Sequence, residues 1–265
     1  MKKKIVALAA TLIMSAMLCA CANKTQTSDS ASDVEYIKNK GKLIVGITDF
    51  APMDYKNDNG EWIGFDADMA RKVADELGVE VEFVEIDWDN KILELDNKSI
   101  DVVWNGMTLT SEVTSSMECT KPYLNNAQVV VVSSDKAADI TDAASAADLY
   151  FAVEAGSAGE EAAKENNYNY TALTSQADAV MEVAAGTSDA CIIDLLMAGA
   201  MIGEGTSYPG LAHTAELTTE EYGIGCRKGS DLAAFINGCL DKFASDGSMK
   251  EAAGTYGVQE ALAWK

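Results

Sequence analysis

Short apolar segments alternate with amphipathic stretches along most of the chain, and this alternation predicts an α/β protein. Strands are predicted where β-branched and other apolar residues form short runs between polar residues. Helices are predicted where apolar residues recur every three or four positions, as Phe65, Met69, Val73 and Leu77 do before Gly78. The predicted strands are 43–47, 79–86, 102–104, 129–132, 150–153, 190–193 and 222–226, and the predicted helices are 65–77, 91–95, 157–165, 177–185, 195–202, 232–243 and 249–256.

The strand–helix order occurs twice, once before about residue 125 and once after about residue 135. Strands that alternate with helices favour parallel sheets, because the crossover helix returns the chain to the same edge. The sequence therefore predicts two α/β lobes. On pattern alone, the last two helices fit either lobe.

The first twenty residues have the pattern of an export signal. Three lysines at positions 2–4 precede an apolar stretch from Ile5 to Leu18, too short to cross a bilayer comfortably. The segment Leu-Cys-Ala-Cys at 18–21 resembles a bacterial lipobox, which implies cleavage before Cys21 and a lipid on its sulfur. The alternative is an ordinary signal peptide with two incidental cysteines. We expect residues 1–20 to be a signal peptide, residues 21–34 to be the lipidated cysteine and a flexible tether, and the rest to be extracytoplasmic and anchored to the cell membrane only by that lipid.

Composition narrows the possible functions. A hydrophobic fraction of 48% argues against a disordered or fibrous chain. A formal net charge of −22 argues against nucleic acid as a partner, since phosphate binding needs a basic surface. The single histidine, His213, excludes sites built from several histidines, and we expect neither a metal nor a cofactor. We expect free thiols at Cys119, Cys191, Cys226 and Cys239, although an exported protein could pair them.

Polar residues gather where four of the predicted strands end. These clusters are Thr48 to Pro52, Asn105 to Thr110, Glu154 to Gly159, and Asp194. Ligands of open α/β sheets bind beyond the carboxyl ends of the strands, and each predicted lobe contributes two clusters. A crevice between the lobes would bring all four together around a small polar ligand. Each cluster alone is more typical of an ordinary turn or helix cap than of a binding site.

Several motifs, in order, resemble the polar amino-acid-binding proteins of ABC importers, which are extracellular solute-binding proteins of the family 3 type. The motifs are Gly-Phe-Asp-Ala-Asp-Met-Ala at 64–70, Gly-Met-Thr-Leu-Thr at 106–110, Lys-Pro-Tyr at 121–123, Tyr-Gly-Ile-Gly-Cys-Arg-Lys-Gly at 222–229 and Ala-Ser-Asp-Gly-Ser-Met at 244–249. The resemblance implies a two-lobe periplasmic-binding-protein (type II) fold with two crossover strands. Lobe I would comprise 35–125 plus 229–265, and lobe II would comprise 126–228.

The same resemblance implies a function and its partners. The protein would capture an amino acid or a similar amine between its lobes and deliver it to the permease of an ABC importer. We expect a monomer without enzymatic activity. Some secreted dehydratases share this fold, however, and Glu154 or Glu160 could act as a general acid if burial raised its pKa.

The resemblance also implies a set of ligand-binding residues. Asp194 would hold the α-ammonium with carbonyls around Asn105, or it would simply cap the following helix. The carboxylate would meet the hydroxyls of Thr108 and Ser157 and the N–H groups at the start of the next helix. Aromatic rings would face the ligand side chain. The complete expected set is Asp49, Phe50, Trp88, Asn105, Gly106, Met107, Thr108, Ser157, Ala158 and Asp194.

One position departs from the family pattern. Val113 stands where the family usually has an arginine that binds the ligand carboxylate in two places. The two arginines of the chain, Arg71 and Arg227, do not fit that role. Either Thr108, Ser157, the helix amides and one of Lys121 and Gln128 hold the carboxylate, or the ligand is not a standard α-amino acid. The acidic surroundings and two aromatic rings favour a cationic or planar side chain.

Overall fold

The computed structural model describes residues 32–264. The predicted signal peptide, the lipidation at Cys21 and most of the predicted tether lie outside these residues. The predicted tether extends to residue 34, but a helix begins at Asp33. Ser32 caps this helix, and its hydroxyl accepts a hydrogen bond from the Glu35 N–H at 3.1 Å. No helix between residues 32 and 264 is long and apolar enough to cross a membrane.

Nine helices and eleven strands are described within residues 32–264. The helices are α1 (Asp33–Lys40), α2 (Phe65–Leu77), α3 (Lys91–Asp96), α4 (Ser111–Ser116), α5 (Ala158–Glu165), α6 (Gln176–Ala185), α7 (Leu195–Met201), α8 (Leu232–Ser245) and α9 (Ser248–Thr255). The strands are β1 (Lys42–Ile47), β2 (Tyr55–Lys56), β3 (Trp62–Ile63), β4 (Glu80–Glu85), β5 (Val102–Thr108), β6 (Glu118–Cys119), β7 (Leu124–Ser133), β8 (Tyr150–Glu154), β9 (Asn169–Leu173), β10 (Ala190–Asp194) and β11 (Leu211–Cys226).

Eight strands form a continuous sheet in the order β4-β1-β5-β11-β7-β10-β8-β9, and β6 pairs with β11. The pairs on either side of the centre are parallel, as predicted: β1 with β4 and β5, and β8 with β9 and β10. Strands β7 and β11 lie in the middle and are antiparallel to each other. We name the half with β1, β4 and β5 lobe I and the half with β8, β9 and β10 lobe II.

The chain passes between the lobes along β7 and β11, which confirms the predicted fold with two crossover strands. The lobe boundaries themselves stay predictions. The strand register favours a second boundary earlier in the chain than the predicted one. Residues 222–226 of β11 pair with β5 and β6 of lobe I, whereas 228 is the predicted end of lobe II. We therefore place the second crossing before Tyr222.

The last two helices belong to lobe I. Helix α8 packs on α1, α2 and β11, and α9 packs on α2 and α8. Arg227, directly after β11, forms buried ion pairs with Asp33 (3.0 Å) and Asp101 (3.4 Å). All four cysteines between residues 32 and 264 are free thiols, as expected, and Cys191, Cys226 and Cys239 are buried.

The predicted helix 65–77 is confirmed residue for residue, with Gly78 in the left-handed region at its end. Strands β5, β7 and β11 are all clearly longer than predicted, and β7 spans Leu124–Ser133 where 129–132 was predicted. Strand β5 continues to Thr108, beyond its predicted end, because Met107 and Thr108 pair with Gly223 and Tyr222 of β11. Strand β11 begins at Leu211, eleven residues before the predicted start, since its mixed polar sequence pairs with β7.

Candidate functional site: the crevice between the lobes

A cavity of about 220 Å³ lies between the lobes, beyond the ends of β1, β5, β8 and β10. Drug-sized ligands occupy cavities of about 300–1,000 Å³, so this volume suits a smaller molecule. Every residue of the expected ligand-binding set except Asp49 lines the cavity. Five lining residues lie outside every cluster and candidate named from the sequence: Lys91, Glu112, Glu161, Lys164 and Gln176.

Asp194 ends β10 with its side chain buried in a hydrogen-bond network. Its Oδ1 accepts from the amide of Asn126 (2.5 Å), from the amide of Gln128 (3.1 Å) and from the hydroxyl of Tyr222. Its Oδ2 accepts from the amide of Gln176 (2.5 Å). The carboxylate does not cap α7, and the alternative role of a capping side chain therefore has no support. Asp194 is fixed at the cavity wall by several donors.

A second carboxylate, that of Glu220, shares the donors of Asp194. The amides of Asn126 and Gln128 also donate to Glu220 Oε1, at 2.6 and 2.9 Å. Burial raises the pKa of Asp194 well above its usual value, and the charge of Glu220 raises it further. A cation in the cavity would relieve this repulsion, because it would neutralise part of the paired negative charge.

The end of β5 is held rigidly in lobe I. The side chain of Asn105 donates to Asp54 Oδ2 (2.9 Å) and accepts from the Thr48 N–H (2.9 Å). The Gly106 N–H donates to the buried Asp66 carboxylate (2.7 Å). Gly106 has a φ of 54°, and a Cβ there would lie 2.5 Å from the Phe50 ring. Glycine is therefore the residue that fits at position 106 without strain or a clash with the Phe50 ring.

Phe50 and Trp88 form the aromatic part of the wall, as the resemblance implied. Phe50 is 3% exposed and Trp88 is 7% exposed, and both line the cavity. Trp88 packs in an apolar cluster with Val113 and Met107. Val113 is therefore a packed apolar residue of the lining, and it offers nothing to a carboxylate.

Helix α5 begins at the cavity from the lobe II side. The hydroxyl of Ser157 accepts from the Glu160 N–H (3.1 Å), and Glu160 Oε2 accepts from the Gly156 N–H (2.9 Å). These two bonds fix the loop before the helix. Ser157 thus caps the helix, as its alternative role predicted, and it also lines the cavity with Ala158. The hydroxyl of Thr108, on the opposite wall, donates to Glu220 (2.9 Å).

The lobes touch at one edge of the cavity. Lys91 opens α3 in lobe I, is 4% exposed, and donates from Nζ to the carbonyls of Trp88 (3.2 Å) and of Gly156 in lobe II (2.8 Å). Gly156 has a φ of 70°, and a Cβ there would lie 2.8 Å from the Cα of Asp89. Glycine at 156 is required for this close approach of the two backbones.

Glu154 is a buried acid at the end of β8. It is 3% exposed, it lines the cavity, and its Oε1 has no hydrogen-bond partner among the described residues. Burial and the charge of Asp194 raise its pKa to about 8. The group therefore holds a proton at neutral pH when no cation is present.

Several candidates from the sequence lie elsewhere. Asp49 is exposed and is not part of the lining, because Phe50 pairs with Asp54 and the chain turns directly after β1. Lys121 pairs with Asp241 at the surface. Arg71 donates to the Trp62 carbonyl, and Arg227 is held in lobe I by Asp33 and Asp101, so neither reaches the cavity.

Sequence reasoning missed Lys91, Gln176 and Glu220 in this region. Gln176 was missed because it is the first residue of α6, and its contact with Asp194 forms only when the chain folds. Glu220 lies on the part of β11 that was not predicted to be a strand. Lys91 carried one usable signal, since it follows the aromatic wall residue Trp88 by three positions.

Comparison with known proteins agrees with this geometry. Residues 43–259 match the family of bacterial extracellular solute-binding proteins, family 3. The chain is 27% identical over 219 residues to the L-cystine-binding protein TcyJ of Escherichia coli, covering 81% of this chain and 82% of that protein. It is 30% identical over 225 residues to the L-arginine-binding protein of Pseudomonas aeruginosa, covering 78% and 84% of the two chains.

Solved structures give the same result. A mutant of ArgBP from T. maritima superimposes with a TM-score of 0.79 at 31% identity, covering 84% of this chain and 98% of that one. The ancestral amino acid-binding protein AncCDT-1, a precursor of cyclohexadienyl dehydratase, gives a TM-score of 0.78 at 31% identity, covering 85% and 99%. The order of strands, the crevice between two lobes and the matched residues lead to one conclusion: the chain belongs to the bacterial extracellular solute-binding proteins of family 3.

Proposed function

We propose that this protein captures an amino acid with a cationic side chain between its two lobes and delivers it to an ABC importer. The observation that carries the proposal is the composition of the cavity wall. Asp194 and Glu154 supply buried carboxyl groups from lobe II, and Phe50 and Trp88 supply aromatic faces from lobe I. Carboxylates attract ammonium and guanidinium groups, and aromatic rings add cation–π attraction.

Each part of the ligand has a matching group in this proposal. The α-ammonium binds Asp194, where the amides of Asn126, Gln128 and Gln176 fix the carboxylate. The ligand carboxylate lies near the first turn of α5, where Ser157 and Ala158 line the cavity. The cationic side chain lies against the aromatic rings. Relatives are named for cystine, arginine, histidine and glutamine, and the acidic and aromatic wall favours the basic side chain among these.

Thermal unfolding and calorimetry with the twenty amino acids test the ligand class. We expect arginine or lysine to raise the melting temperature most, because a ligand that binds only the folded state stabilises it by mass action. Aspartate and glutamate serve as negative controls. If no amino acid shifts the melting temperature at millimolar concentration, the proposed function is wrong.

Residues from both lobes line the cavity, so a bound ligand contacts both walls only when the lobes lie close together. We propose that the bound amino acid favours the state in which the lobes touch, and that the importer permease recognises that state. Uptake of radiolabelled arginine by cells that lack the gene, with and without complementation, measures delivery. Unchanged uptake would contradict the transport role and would leave the binding role standing.

We further propose that the mature chain is a monomer held at the outer face of the cell membrane by lipid on Cys21. The lipobox-like segment before Cys21 supports this anchor. Mass spectrometry of the purified N-terminal peptide would show a mass increase from the lipid, and Cys21→Ala would release the protein into the medium. An unmodified N-terminal peptide would favour the ordinary signal peptide instead.

A second candidate function is a dehydratase on the same fold. Glu154 favours it, because its pKa of about 8 keeps a proton available for general acid chemistry in the cavity. Incubation with cyclohexadienyl acids tests it. Loss of substrate absorbance with multiple turnovers would support the enzyme, and saturable binding without turnover would support transport.

A further inference from the structure

Lys91 is a buried cation without an anionic partner. Its side chain lines the cavity and the residue is 4% exposed, yet none of the ion pairs within residues 32–264 includes it. Arg227 is nearly as buried, at 8% exposed, and it has two carboxylates, Asp33 and Asp101. Buried charges are normally paired, because transfer from water to the interior is unfavourable. The charges of Glu112, Glu154, Asp89 and Glu160 act on Lys91, but none of these carboxylates is in direct contact with it. The contrast with Arg227 indicates that Nζ can form its direct ion pair with an anion in the cavity.

The hydrogen bonds of Lys91 leave one donor free. An ammonium group has three N–H donors. Two of them go to the carbonyls of Trp88 and Gly156, at 3.2 and 2.8 Å. The third is available to a molecule in the cavity that Lys91 lines.

The second bond of Lys91 also places its charge beside the first turn of α5. Gly156 directly precedes Ser157, the capping residue of this eight-residue helix. The N-terminal N–H groups and the helix dipole favour negative charge at this position. A carboxylate between Nζ and the start of α5 would thus meet two kinds of positive group, one from each lobe.

Helix α4 has no arginine that could bind the ligand carboxylate. Val113 on α4 is apolar and 3% exposed, and it packs with Trp88 and Met107. Neither arginine reaches the cavity, and the other lysine of the lining, Lys164, is paired with Glu160 at 3.0 Å. Lys91 is the lining cation with no carboxylate partner among residues 32–264.

We propose that Lys91 binds the carboxylate of the ligand, in place of an arginine on α4. The residue therefore makes the site specific for amino acids over the corresponding decarboxylated amines. This inference rests on the proposed function, since it needs a ligand that carries a carboxylate. Lys91 also joins the lobes through Gly156, so that carboxylate binding and lobe contact share one side chain.

The test compares two pairs of probes by calorimetry: arginine with agmatine, and lysine with cadaverine. For wild-type protein we expect the amino acid of each pair to bind more tightly. Lys91→Met should weaken arginine binding by roughly 10- to 100-fold, the loss of one charge-assisted hydrogen bond, and should leave agmatine binding within about threefold. Lys121→Met is the matched control, because it removes a lysine that pairs with Asp241 outside the cavity lining, and it should change neither affinity.

The outcomes separate the possible roles. Equal losses for arginine and agmatine would mean that Lys91 only holds the lobes together, and the inference would be overturned. Unchanged arginine binding would also overturn it. If wild-type protein binds neither amino acids nor amines, the proposed function itself fails, which is a different result from a variant that does not discriminate.

A second measurement needs no variant. Arginine methyl ester keeps both cationic groups and loses the negative charge of the carboxylate. Wild-type protein should bind it roughly tenfold or more weakly than arginine. Equal affinity would contradict a role for any cation at the carboxylate, including Lys91, even if Lys91→Met did not fold.

Discussion

The two walls of the cavity differ in their chemistry. Lobe I contributes the rings of Phe50 and Trp88, the apolar Val113 and a backbone segment fixed by Asn105. Lobe II contributes the buried carboxyl groups of Glu154 and Asp194 and the first turn of α5. One wall therefore sets the shape of the site, and the other sets most of its charge.

This difference explains why neither lobe forms the site alone. An aromatic face without carboxylates binds cations weakly in water. Carboxylates that are open to water attract cations weakly as well, because water screens their charge. Contact between Lys91 and Gly156 brings the two walls together. A ligand that touches both walls is bound more tightly when they meet, and its binding energy shifts the population towards that state.

The largest expected effect comes from the wall of lobe II, which carries most of the charge. Asp194→Asn keeps the size of the side chain and removes its charge, and it should weaken binding of a cationic amino acid by roughly 100-fold or more. Calorimetry measures the affinity, and circular dichroism checks the fold. Asp49→Asn removes an aspartate that is exposed and outside the lining, and it should leave the affinity unchanged. Undiminished binding by Asp194→Asn would exclude this residue from the site.

The next effect concerns the contact between the walls. In Gly156→Ala the new Cβ meets the Cα and Oδ1 of Asp89, both at 2.8 Å, and the lobes cannot approach as closely. We expect an affinity loss of roughly tenfold, about 1.4 kcal/mol. Gly186→Ala is the control, since its φ of 74° imposes similar backbone strain with nothing within 4 Å. Both variants should melt at lower temperature, and only Gly156→Ala should lose affinity. Equal affinity losses would trace the effect to strain alone.

The pH dependence of the melting temperature tests how the carboxyl groups of lobe II are stabilised in the absence of ligand. Glu154 has a pKa of about 8 in the folded protein, above its ordinary value of 4.5, so the folded state holds a proton that the unfolded state releases. The stabilisation is fully present below about pH 4.5 and is lost as the pH rises through about 8. The melting temperature of ligand-free protein should fall over this interval.

Glu154→Gln should reduce that fall by a few degrees, because glutamine does not titrate. A residual fall is expected from Asp194, whose pKa burial also raises. Affinity for arginine in wild-type protein should rise with pH over the same interval, since the cation displaces the proton of Glu154. A pH profile identical in both proteins would show that Glu154 does not titrate in this range.

The smallest expected effect comes from the aromatic wall of lobe I. Phe50→Leu keeps most of the apolar volume and loses the ring, and it should weaken binding of arginine by roughly three- to tenfold. Phe151→Leu replaces a ring buried in lobe II outside the lining, and it should lower stability while leaving affinity unchanged. If Phe50→Leu loses no affinity, the ring contributes only apolar packing.

Much of the fold could be predicted because its signals are local. The four-residue spacing of apolar positions and Gly78 define α2, and the polar residues after β1, β8 and β10 mark the edge of the sheet where the cavity lies. The family resemblance then implied a set of ligand-binding residues, and the cavity lining includes all of them but Asp49. Which way the Asp49 side chain points depends on the turn after β1, and no local pattern encodes it.

The unpredicted parts depend on contacts between distant residues. The first half of β11 has too many polar residues to be recognised as a strand, and it forms because β7 pairs with it. Lys91 becomes a cavity residue only when Gly156, far along the chain, comes within 2.8 Å. Glu220 joins Asp194 through amides of β7. Pairing across the sheet and between lobes is long-range information, which residue spacing does not carry.

The first described residues are tied to lobe I. Ser32 donates to Asp231 at 2.5 Å, Asp33 pairs with Arg227 at 3.0 Å, and α1 packs on α8 and β1. Any pull on the chain from before residue 32 is therefore borne by the lobe with the aromatic wall. Lobe II is joined to lobe I by β7 and β11 and by the contact of Lys91 with Gly156, so a load applied before residue 32 acts on lobe I first and reaches lobe II through these connections.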